Sequence, residues 1–272
     1  MALRINTNVA AINAHRQLLG TEAKLNGSME KLSSGYRINR ASDDAAGLAI
    51  ANKLRANVRS LTVASRNVTE GKSLLAVAEG SANQIESILE RMKELATQAS
   101  SANASSDIGK IGAEYDTLIE ELDRIVDSTK YQGVALLDGT FAGTFQVGSE
   151  GATTSQIVIS IGELSTDELD MAAGDLDTAT SAITALNSID TAIGTLSDVL
   201  GNIGAAMNRM DHTYSNLQVQ IENFSASESA IRDVDMASEM VTFTKSQILL
   251  QAGTAMLAQA NMSTQVVLSL FG

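Results

Sequence analysis

The feature that most constrains the fold is a run of apolar residues spaced alternately three and four positions apart. The run consists of Leu186, Ile189, Ile193, Leu196, Leu200, Ile203, Met207, Met210, Tyr214, Leu217, Ile221 and Phe224. A period of 3.5 residues keeps one stripe of a helix against a partner helix, as in a coiled coil. From Ala182 to Phe224 it predicts a helix of roughly 65 Å at 1.5 Å per residue.

The first half of the chain supplies two partner stripes. One consists of Ala78, Ala82, Ile85, Leu89, Met92, Ala96 and Ala99, extended backwards by Leu54, Val58, Leu61 and Val68; the other of Ile108, Ile111, Tyr115, Leu118, Leu122 and Ile125. A Ser-Asn-Ala run at 100–106 separates them, with Ser106 as the predicted N-cap. Three matching stripes in one chain predict a bundle within one molecule, with Leu196 and Ile203 near its middle. The absence of proline fits long helices.

The pattern between the two halves changes to that of strands. Phe145 and Val147 alternate with polar residues, and Ile157, Ile159 and Ile161 alternate in a β-branched segment. This predicts a β-hairpin closed around the segment GSEGATTS at 148–155. The acidic stretch from 163 to 180 that follows has no predicted structure.

The two ends carry stripes that the predicted bundle cannot cover. The N-terminal stripe is Val9, Ile12, Leu19, Leu25, Met29 and Leu32, ending at Gly35, and the C-terminal stripe is Val234, Val241, Ile248, Ala252, Ala255, Met262 and Val266. Helices with an uncovered apolar face are commonly disordered or assembled. We therefore expect these ends to become ordered on assembly with neighbouring subunits.

The fold class predicted from these patterns is mainly α. It combines a long antiparallel helical coiled-coil or bundle rod, a small β-hairpin region and paired terminal helices. The predicted segments are an N-terminal inner helix at 1–41, N-terminal rod helices at 42–137, a hairpin and acidic variable segment at 138–180, a C-terminal rod helix at 181–226 and a C-terminal inner helix at 227–272.

Composition limits the function classes. The net charge is −13, with +6 over residues 1–66 and −19 over 67–272. The basic residues are spaced along helices, so we expect attraction between neighbouring subunits rather than a nucleic-acid arm. No apolar run spans a membrane, and no cleavable signal peptide is evident. Without cysteine or any metal-binding histidine spacing, the sequence predicts no metal, cofactor or catalytic site.

Two groups of residues suggest chemistry but have ordinary explanations. Asp43 and Asp44 resemble paired catalytic acids. With Ser42 as an N-cap, both would instead lie in the first turn of a helix, against its positive end. The methionines at Met236, Met240, Met256 and Met262 suggest a soft-metal site or an adaptable groove, but core packing is the preferred interpretation.

Four long segments together resemble the bacterial flagellin family. They are ALRINTNVAAINAHRQL at 2–18, LSSGYRINRASDDAAGLAIANKLRA at 32–56, RNVTEGKSLLAVAEG at 66–80 and SASESAIRDVDMASEMVTFTKSQILLQAGTAMLAQAN at 225–261. The match covers roughly residues 1–137 and 182–272. The resemblance implies a hairpin-shaped filament subunit, with both ends at the filament core, the rod outside them and no outer domains.

The resemblance also implies partners and sites. It implies a helical homopolymer, filament cap and hook-junction proteins, the flagellar type III export apparatus without signal cleavage, and an export chaperone bound to the C-terminal region. Toll-like receptor 5 is expected to recognise Arg91, Glu94, Leu95 and Gln98, with Glu114 as a further contact on the next helix. On periodicity alone, the first four lie off the buried stripe, on a solvated or subunit-contacting face. Arg37, Arg40, Asp43 and Asp44 are expected to form salt bridges at the bend between inner helix and rod. O-linked glycans are expected at Thr153, Thr154 or Ser155.

Three other functions compete with that of a filament subunit for motility outside the cell. The most similar alternative is a hook–filament junction protein. Proteins of that class share flagellin-like ends, but their ends usually match the flagellin segments more weakly than these do, and their middle region is larger. A coiled-coil signalling rod would need a symmetric hairpin tip and a membrane anchor. An enzyme has no supporting constellation of residues.

Overall fold

The computed structural model describes residues 7–101, 108–172, 176 and 178–269. The helices are α1 (Val9–Ser34), α2 (Ala45–Ala99), α3 (Ile108–Ser128), α4 (Ala179–Arg232) and α5 (Met236–Ser269). The strands are β1 (Lys130–Tyr131), β2 (Val134–Ala135), β3 (Ala142–Gln146) and β4 (Gln156–Ser160). The mainly α fold class with a small hairpin is thus confirmed. No helix of the described ranges is long and apolar enough to cross a membrane. The predicted N-cap Ser106 lies outside the described residues.

The chain divides into two compact units. The first unit comprises Met1–Ala56 and Asn223–Gly272, and the second comprises Asn57–Glu222. Both borders fall inside helices, α2 and α4. The five segments predicted from the sequence stay a prediction.

In the second unit, α2 and α4 run antiparallel in one register. The Gln218 amide donates to the Ser65 hydroxyl, and ion pairs join Lys72 to Asp211 and Lys93 to Asp190. Each step forward along α2 is matched by an equal step backward along α4. The three contacts extend over about 42 Å at 1.5 Å per residue. This constant register confirms that the stripe of α4 packs within the chain.

The buried seam of α4 differs from the predicted stripe. Five predicted residues are buried, namely Ile189, Leu196, Ile203, Met210 and Leu217. Ala182, Ala185, Ala192 and Val199 complete the seam, whereas Leu186, Ile193, Leu200 and Met207 are only half-buried. Tyr214 is 38% exposed. The seam is therefore rotated toward the alanines, whose small side chains let neighbouring helices approach closely.

The α3 stripe is rotated in the same way. Its buried residues are Ile111, Gly112, Tyr115, Ile119, Leu122 and Val126. Leu118 and Ile125, which the sequence placed in the stripe, are half-buried. The helix is followed by β1 and β2, which form a short hairpin with two residues in each strand. The sequence analysis does not predict this hairpin. Gln132 and Gly133 both have positive φ, 51° and 85°, as a tight hairpin turn requires.

The predicted β-hairpin at residues 142–160 is confirmed. β3 and β4 pair antiparallel from Ala142 opposite Ser160 to Gln146 opposite Gln156. Ile157, Ile159 and Ile161 are buried. The amide of Asn67 donates to the backbone oxygen of Gln146 at 3.1 Å, which ties the hairpin to α2.

The acidic stretch after β4 has a buried apolar side. Leu164, Leu169, Met171 and Leu176 are buried among the described residues of 163–178. Thr166 donates from its backbone nitrogen and hydroxyl to the carboxylate of Asp123 on α3. These contacts hold the segment in the second unit rather than leaving it as a free loop.

In the first unit, α1 and α5 form an antiparallel pair. The amide of Asn8 donates to the backbone oxygen of Ala260 at 3.0 Å, and its carboxamide oxygen accepts from Ala11 as the N-cap of α1. A side chain on Gly253 would meet Leu18 at 2.8 Å, so the two helices touch there. α1 ends as predicted at Gly35, which has a φ of 76° and closes the last turn onto Lys31.

Candidate interaction surfaces

The connector between α1 and α2 is organised by two adjacent carboxylates. The carboxylate of Asp43 accepts from the backbone nitrogens of Arg40 and Asn39 at 2.8 and 3.0 Å. The carboxylate of Asp44 accepts from the backbone nitrogen of Gly47 at 2.9 Å. Asp44 is thus the N-cap of α2, which begins at Ala45. The prediction of Ser42 as N-cap, with both acids in the first helical turn, is wrong.

The electrostatics of Asp43 follow from this geometry. The two backbone donors, Arg40 first and Asn39 second, together with the charges of Lys31 and Arg40, lower the pKa of the exposed Asp43 carboxyl. An ionised Asp43 therefore closes the turn that leads into α2. This is a structural role, because both carboxylates accept backbone hydrogen bonds of the connector.

The two arginines of the connector point to different partners. Arg40 forms an ion pair with Glu30 of α1 at 2.9 Å, and Arg37 donates to the backbone oxygen of Ile231 at 2.6 Å. Neither is paired with Asp43 or Asp44 through a side-chain ion pair among the described residues. Salt bridges from these four residues to another subunit stay a prediction.

A bridge between the two connectors was missed by the sequence reading. Tyr36 and Asp233 form an isolated antiparallel β-bridge, with hydrogen bonds from the Arg37 nitrogen to the Arg232 oxygen and from the Val234 nitrogen to the Gly35 oxygen. The bridge joins the end of α1 to the start of α5. Its partners are almost 200 residues apart, so no local pattern could indicate it.

Three of the five predicted receptor-facing residues form one charged cluster on α2 and α3. Arg91 pairs with Glu94 at 2.8 Å and, across to α3, with Glu114 at 2.8 Å. These two carboxylates, Glu114 first, raise the pKa of the Arg91 guanidinium. Gln98 is exposed on the same helix. The cluster thus offers a surface with fixed charges.

Leu95 is the exception in this predicted group. The sequence reading placed it off the buried stripe, but it is 1% exposed and that placement is wrong. The helix is covered from two sides here, since Arg91 reaches α3 while Lys93 reaches Asp190 on α4. A helix with two partners buries a wider face than one stripe.

Most of the exposed large apolar side chains lie in the first unit. On α1, Val9, Ile12, Leu19 and Met29 are each about half exposed, and on α5, Met236, Met240, Val241, Ile248, Leu249, Met256 and Met262 are between 48% and 69% exposed. The expectation that the methionines of α5 pack in a core is therefore wrong for the single chain. Apolar residues are spread around α5 among polar ones such as Glu239, Lys245 and Gln251, and α1 leaves many of them uncovered. We call the uncovered sides of α1 and α5 the outer faces.

The predicted glycosylation residues lie in the hairpin loop. Thr153 and Thr154 are exposed and Ser155 is half-buried, all three in one 3-10 turn. Ser155 also accepts through its backbone oxygen from the Val147 nitrogen at 2.8 Å. The two threonine hydroxyls are therefore the accessible ones.

No group of three metal-ligating side chains occurs in the part of the chain that the structure describes. His15 and His212 are both exposed, on α1 and α4.

Comparison with known proteins identifies a family for both halves. The family model for the bacterial flagellin N-terminal helical region matches residues 5–142, and that for the C-terminal helical region matches residues 186–271. A flagellin of Halalkalibacterium halodurans is 45% identical over 98% of both chains. A flagellin of Bacillus subtilis is 40% identical over 98% of this chain and 99% of its own. The crystal structure of Bacillus cereus flagellin is 28% identical, covering 60% of this chain and 94% of that chain with a TM-score of 0.48.

Proposed function

Because this chain belongs to the bacterial flagellin family and is a structural subunit of the flagellar filament rather than an enzyme, we propose that the outer faces of α1 and α5 are its polymerisation surfaces. The observation that carries the proposal is the set of large apolar side chains that α1 leaves exposed on α5. A helix with an uncovered apolar face is stabilised when a neighbouring helix covers that face. Copies of the same chain supply that cover in a homopolymer.

The exposed area supports the same assignment. Val241 is 69% exposed and Ile248 is 60% exposed, so α1 leaves both side chains uncovered. Contiguous exposed apolar patches in soluble proteins commonly mark interaction sites. We propose that α1 and α5 become fully ordered only when subunits assemble, which agrees with the prediction from the uncovered stripes.

Two kinds of variant test the proposal. Removal of residues 1–33 or of residues 235–272 is expected to leave a folded second unit that does not polymerise. Val241→Glu is expected to prevent polymerisation, because it would bury a charge in the interface. Val158→Glu on β4 is the matched control, since Val158 is 62% exposed but lies in the second unit. Normal filaments from either truncation, or from Val241→Glu, would refute the assignment; electron microscopy is the readout.

The export route is proposed from the family alone. The subunit is proposed to leave the cell through the flagellar type III apparatus without cleavage, and the C-terminal region, about 231–272, is proposed to bind the export chaperone through the outer face of α5. Filament cap and hook-junction proteins are the further proposed partners at the filament ends. Intact-mass analysis of filament protein tests the export proposal, and loss of an N-terminal segment longer than Met1 would contradict it.

The Arg91 cluster is proposed as the face recognised by Toll-like receptor 5. Arg91, Glu94 and Glu114 are held together by ion pairs, Gln98 is exposed beside them, and Leu95 supports the face from below. Arg91→Ala is expected to weaken receptor binding. Arg124→Ala is the matched control, because Arg124 forms a similar ion pair with Glu121 three residues away on α3. Equal receptor binding by Arg91→Ala and Arg124→Ala would refute the proposal.

O-linked glycans, where present, are proposed at Thr153 and Thr154 rather than on the helices, with Ser155 less accessible. The support is the exposure of both threonines in the hairpin loop. Peptide mapping of filament protein tests this. Modification confined to the buried seam of α4 would contradict it. No observation favours a hook–filament junction protein, so that alternative is not proposed.

A further inference from the structure

The methionines are segregated between the two units. In the second unit, Met92 and Met210 are fully buried, Met171 is 6% exposed and Met207 is half-buried. In the first unit, the described methionines are Met29 at 49%, Met236 and Met240 at 48%, Met256 at 64% and Met262 at 55% exposure. We refer to these five as the exposed methionines.

Exposure determines which methionines react with oxidants. The chain has no cysteine, so its thioethers are the most easily oxidised sulfur atoms. A peroxide transfers one oxygen atom to the thioether sulfur, which loses two electrons and becomes a sulfoxide. The O–O bond of the peroxide breaks, and hydrogen peroxide is reduced to water. The product is a polar group with a strong hydrogen-bond acceptor in place of an apolar one.

The exposed methionines lie at or beside the outer faces. Met240 lines an open, mostly apolar groove on α5 together with Val241, Ile248 and Leu249, and Thr244 and Lys245 also line it. A sulfoxide in that groove would be well solvated in the free subunit. The same sulfoxide buried in a subunit contact would lose its water and need a new donor, which costs free energy.

We propose that the exposed methionines form an oxidant-sensitive patch that determines whether the free subunit can polymerise, with methionine sulfoxide at these positions blocking assembly. The proposal rests on the proposed role of the outer faces in polymerisation. It adds that the free subunit is the vulnerable form. Once assembled, the thioethers are covered by neighbouring copies, and peroxide reaches them slowly. The modification is reversible, because methionine sulfoxide reductases return both sulfoxide epimers to methionine.

The first experiment needs no variant. Purified full-length subunit is treated with graded hydrogen peroxide, induced to polymerise and separated by sedimentation into filaments and free protein. Peptide mapping should find sulfoxide at the exposed methionines enriched in the free fraction. The critical concentration for polymerisation should rise about tenfold or more. Equal sulfoxide content at these positions in both fractions would overturn the proposal.

The second experiment uses variants. The combined Met29→Leu, Met236→Leu, Met240→Leu, Met256→Leu and Met262→Leu variant should polymerise equally well before and after peroxide treatment. Met207→Leu in the second unit is the control and should remain as sensitive as the unmodified sequence. Peroxide sensitivity retained by the five-leucine variant would overturn the proposal, as would failure of the two reductases to restore assembly of the oxidised subunit.

The outcomes separate this proposal from the one on which it rests. Oxidised subunits that polymerise normally would refute the oxidant sensitivity and leave the outer faces as polymerisation surfaces. Polymerisation of Val241→Glu would instead refute the surface assignment itself.

Discussion

The guanidinium of Arg232, the last residue of α4, lies 4.1 Å from the centroid of the Tyr36 ring. The Arg232 side chain is 13% exposed, and its nearest carboxylate oxygen, on Glu228, is 3.8 Å from Nη1. Nε and Nη1 make no hydrogen bond to any described residue. The aromatic face therefore adds a cation–π contact to the distant carboxylate of Glu228 in stabilising a largely buried cation. The pair lies beside the β-bridge that joins the connector after α1 to the connector before α5.

The first prediction concerns this contact. Tyr36→Leu removes the ring and is expected to reduce the stability of the first unit by about 1–2 kcal/mol. Tyr36→Phe keeps the ring and is expected to behave almost as the unmodified chain. Hydrogen exchange of the Arg37 and Val234 amides, which donate across the bridge, is the measurement. Equal loss of protection in both variants would mean that the hydroxyl, rather than the ring, is responsible.

The second prediction tests the observed seam of α4. Leu196 is 1% exposed and Leu200 is half-buried, although the periodic pattern placed both in one stripe. Leu196→Ala is expected to cost about 2–5 kcal/mol because it opens a cavity, and Ile203→Ala is expected to cost a similar amount. Leu200→Ala should cost clearly less. Chemical denaturation of the three variants gives the comparison, and a loss for Leu200→Ala as large as that for Leu196→Ala would return Leu200 to the seam, as the periodic pattern predicted.

The sequence predicted the features that depend on local periodicity. The helices, the end of α1 at Gly35 and the buried Ile157, Ile159 and Ile161 all follow from spacings of 3.5 or two residues and from one glycine. These signals reflect how a segment presents one side to a core. Such periodic signals do not indicate which neighbouring element forms the core.

What the sequence missed depends on the neighbours. Apolar size favoured Leu186 and Ile193 over Ala185 and Ala192, but a close helix pair buries the small residues and leaves the larger ones at its margin. Leu95 was placed off the stripe because a single apolar stripe describes a helix that packs against one partner. In the structure α2 has two partners, α3 and α4, and therefore buries a wider face. The contact between Tyr36 and Arg232 joins residues distant in the chain and has no sequence signal. For the connector, Ser42 was predicted as the N-cap, but serine and aspartate cap helices about equally well, so only the geometry identifies Asp44.

The third prediction concerns two glycines of α2. A side chain at Gly47 would meet the Asp44 carboxylate oxygen at 2.4 Å and Ile38 at 2.9 Å, whereas one at Gly80 would meet nothing within 4 Å. Gly47→Ala is therefore expected to displace the N-cap and destabilise the chain by about 1–3 kcal/mol. Gly80→Ala is expected to stabilise it by up to about 1 kcal/mol, because alanine favours the helix. Thermal unfolding should give opposite shifts, and shifts of the same sign would contradict the packing around Gly47.

The last prediction is a pH dependence at the same connector. The backbone nitrogens of Arg40 and Asn39 lower the pKa of Asp43 in the folded chain. A carboxyl whose folded pKa is lowered binds protons more weakly when folded than when unfolded. Its stabilising contribution is therefore fully present above the unfolded-state pKa of about 3.9 and is lost as the pH falls through the folded-state pKa.

Asp43→Asn should accordingly be less stable than the unmodified chain at neutral pH, and the difference should shrink below about pH 4. Ser42→Ala, which removes a hydroxyl that does not cap α2, should follow the unmodified chain at every pH. Denaturant unfolding at a series of pH values measures both differences. A gap between Asp43→Asn and the unmodified chain that stays constant down to pH 2 would show that the charge of Asp43 does not close the turn into α2.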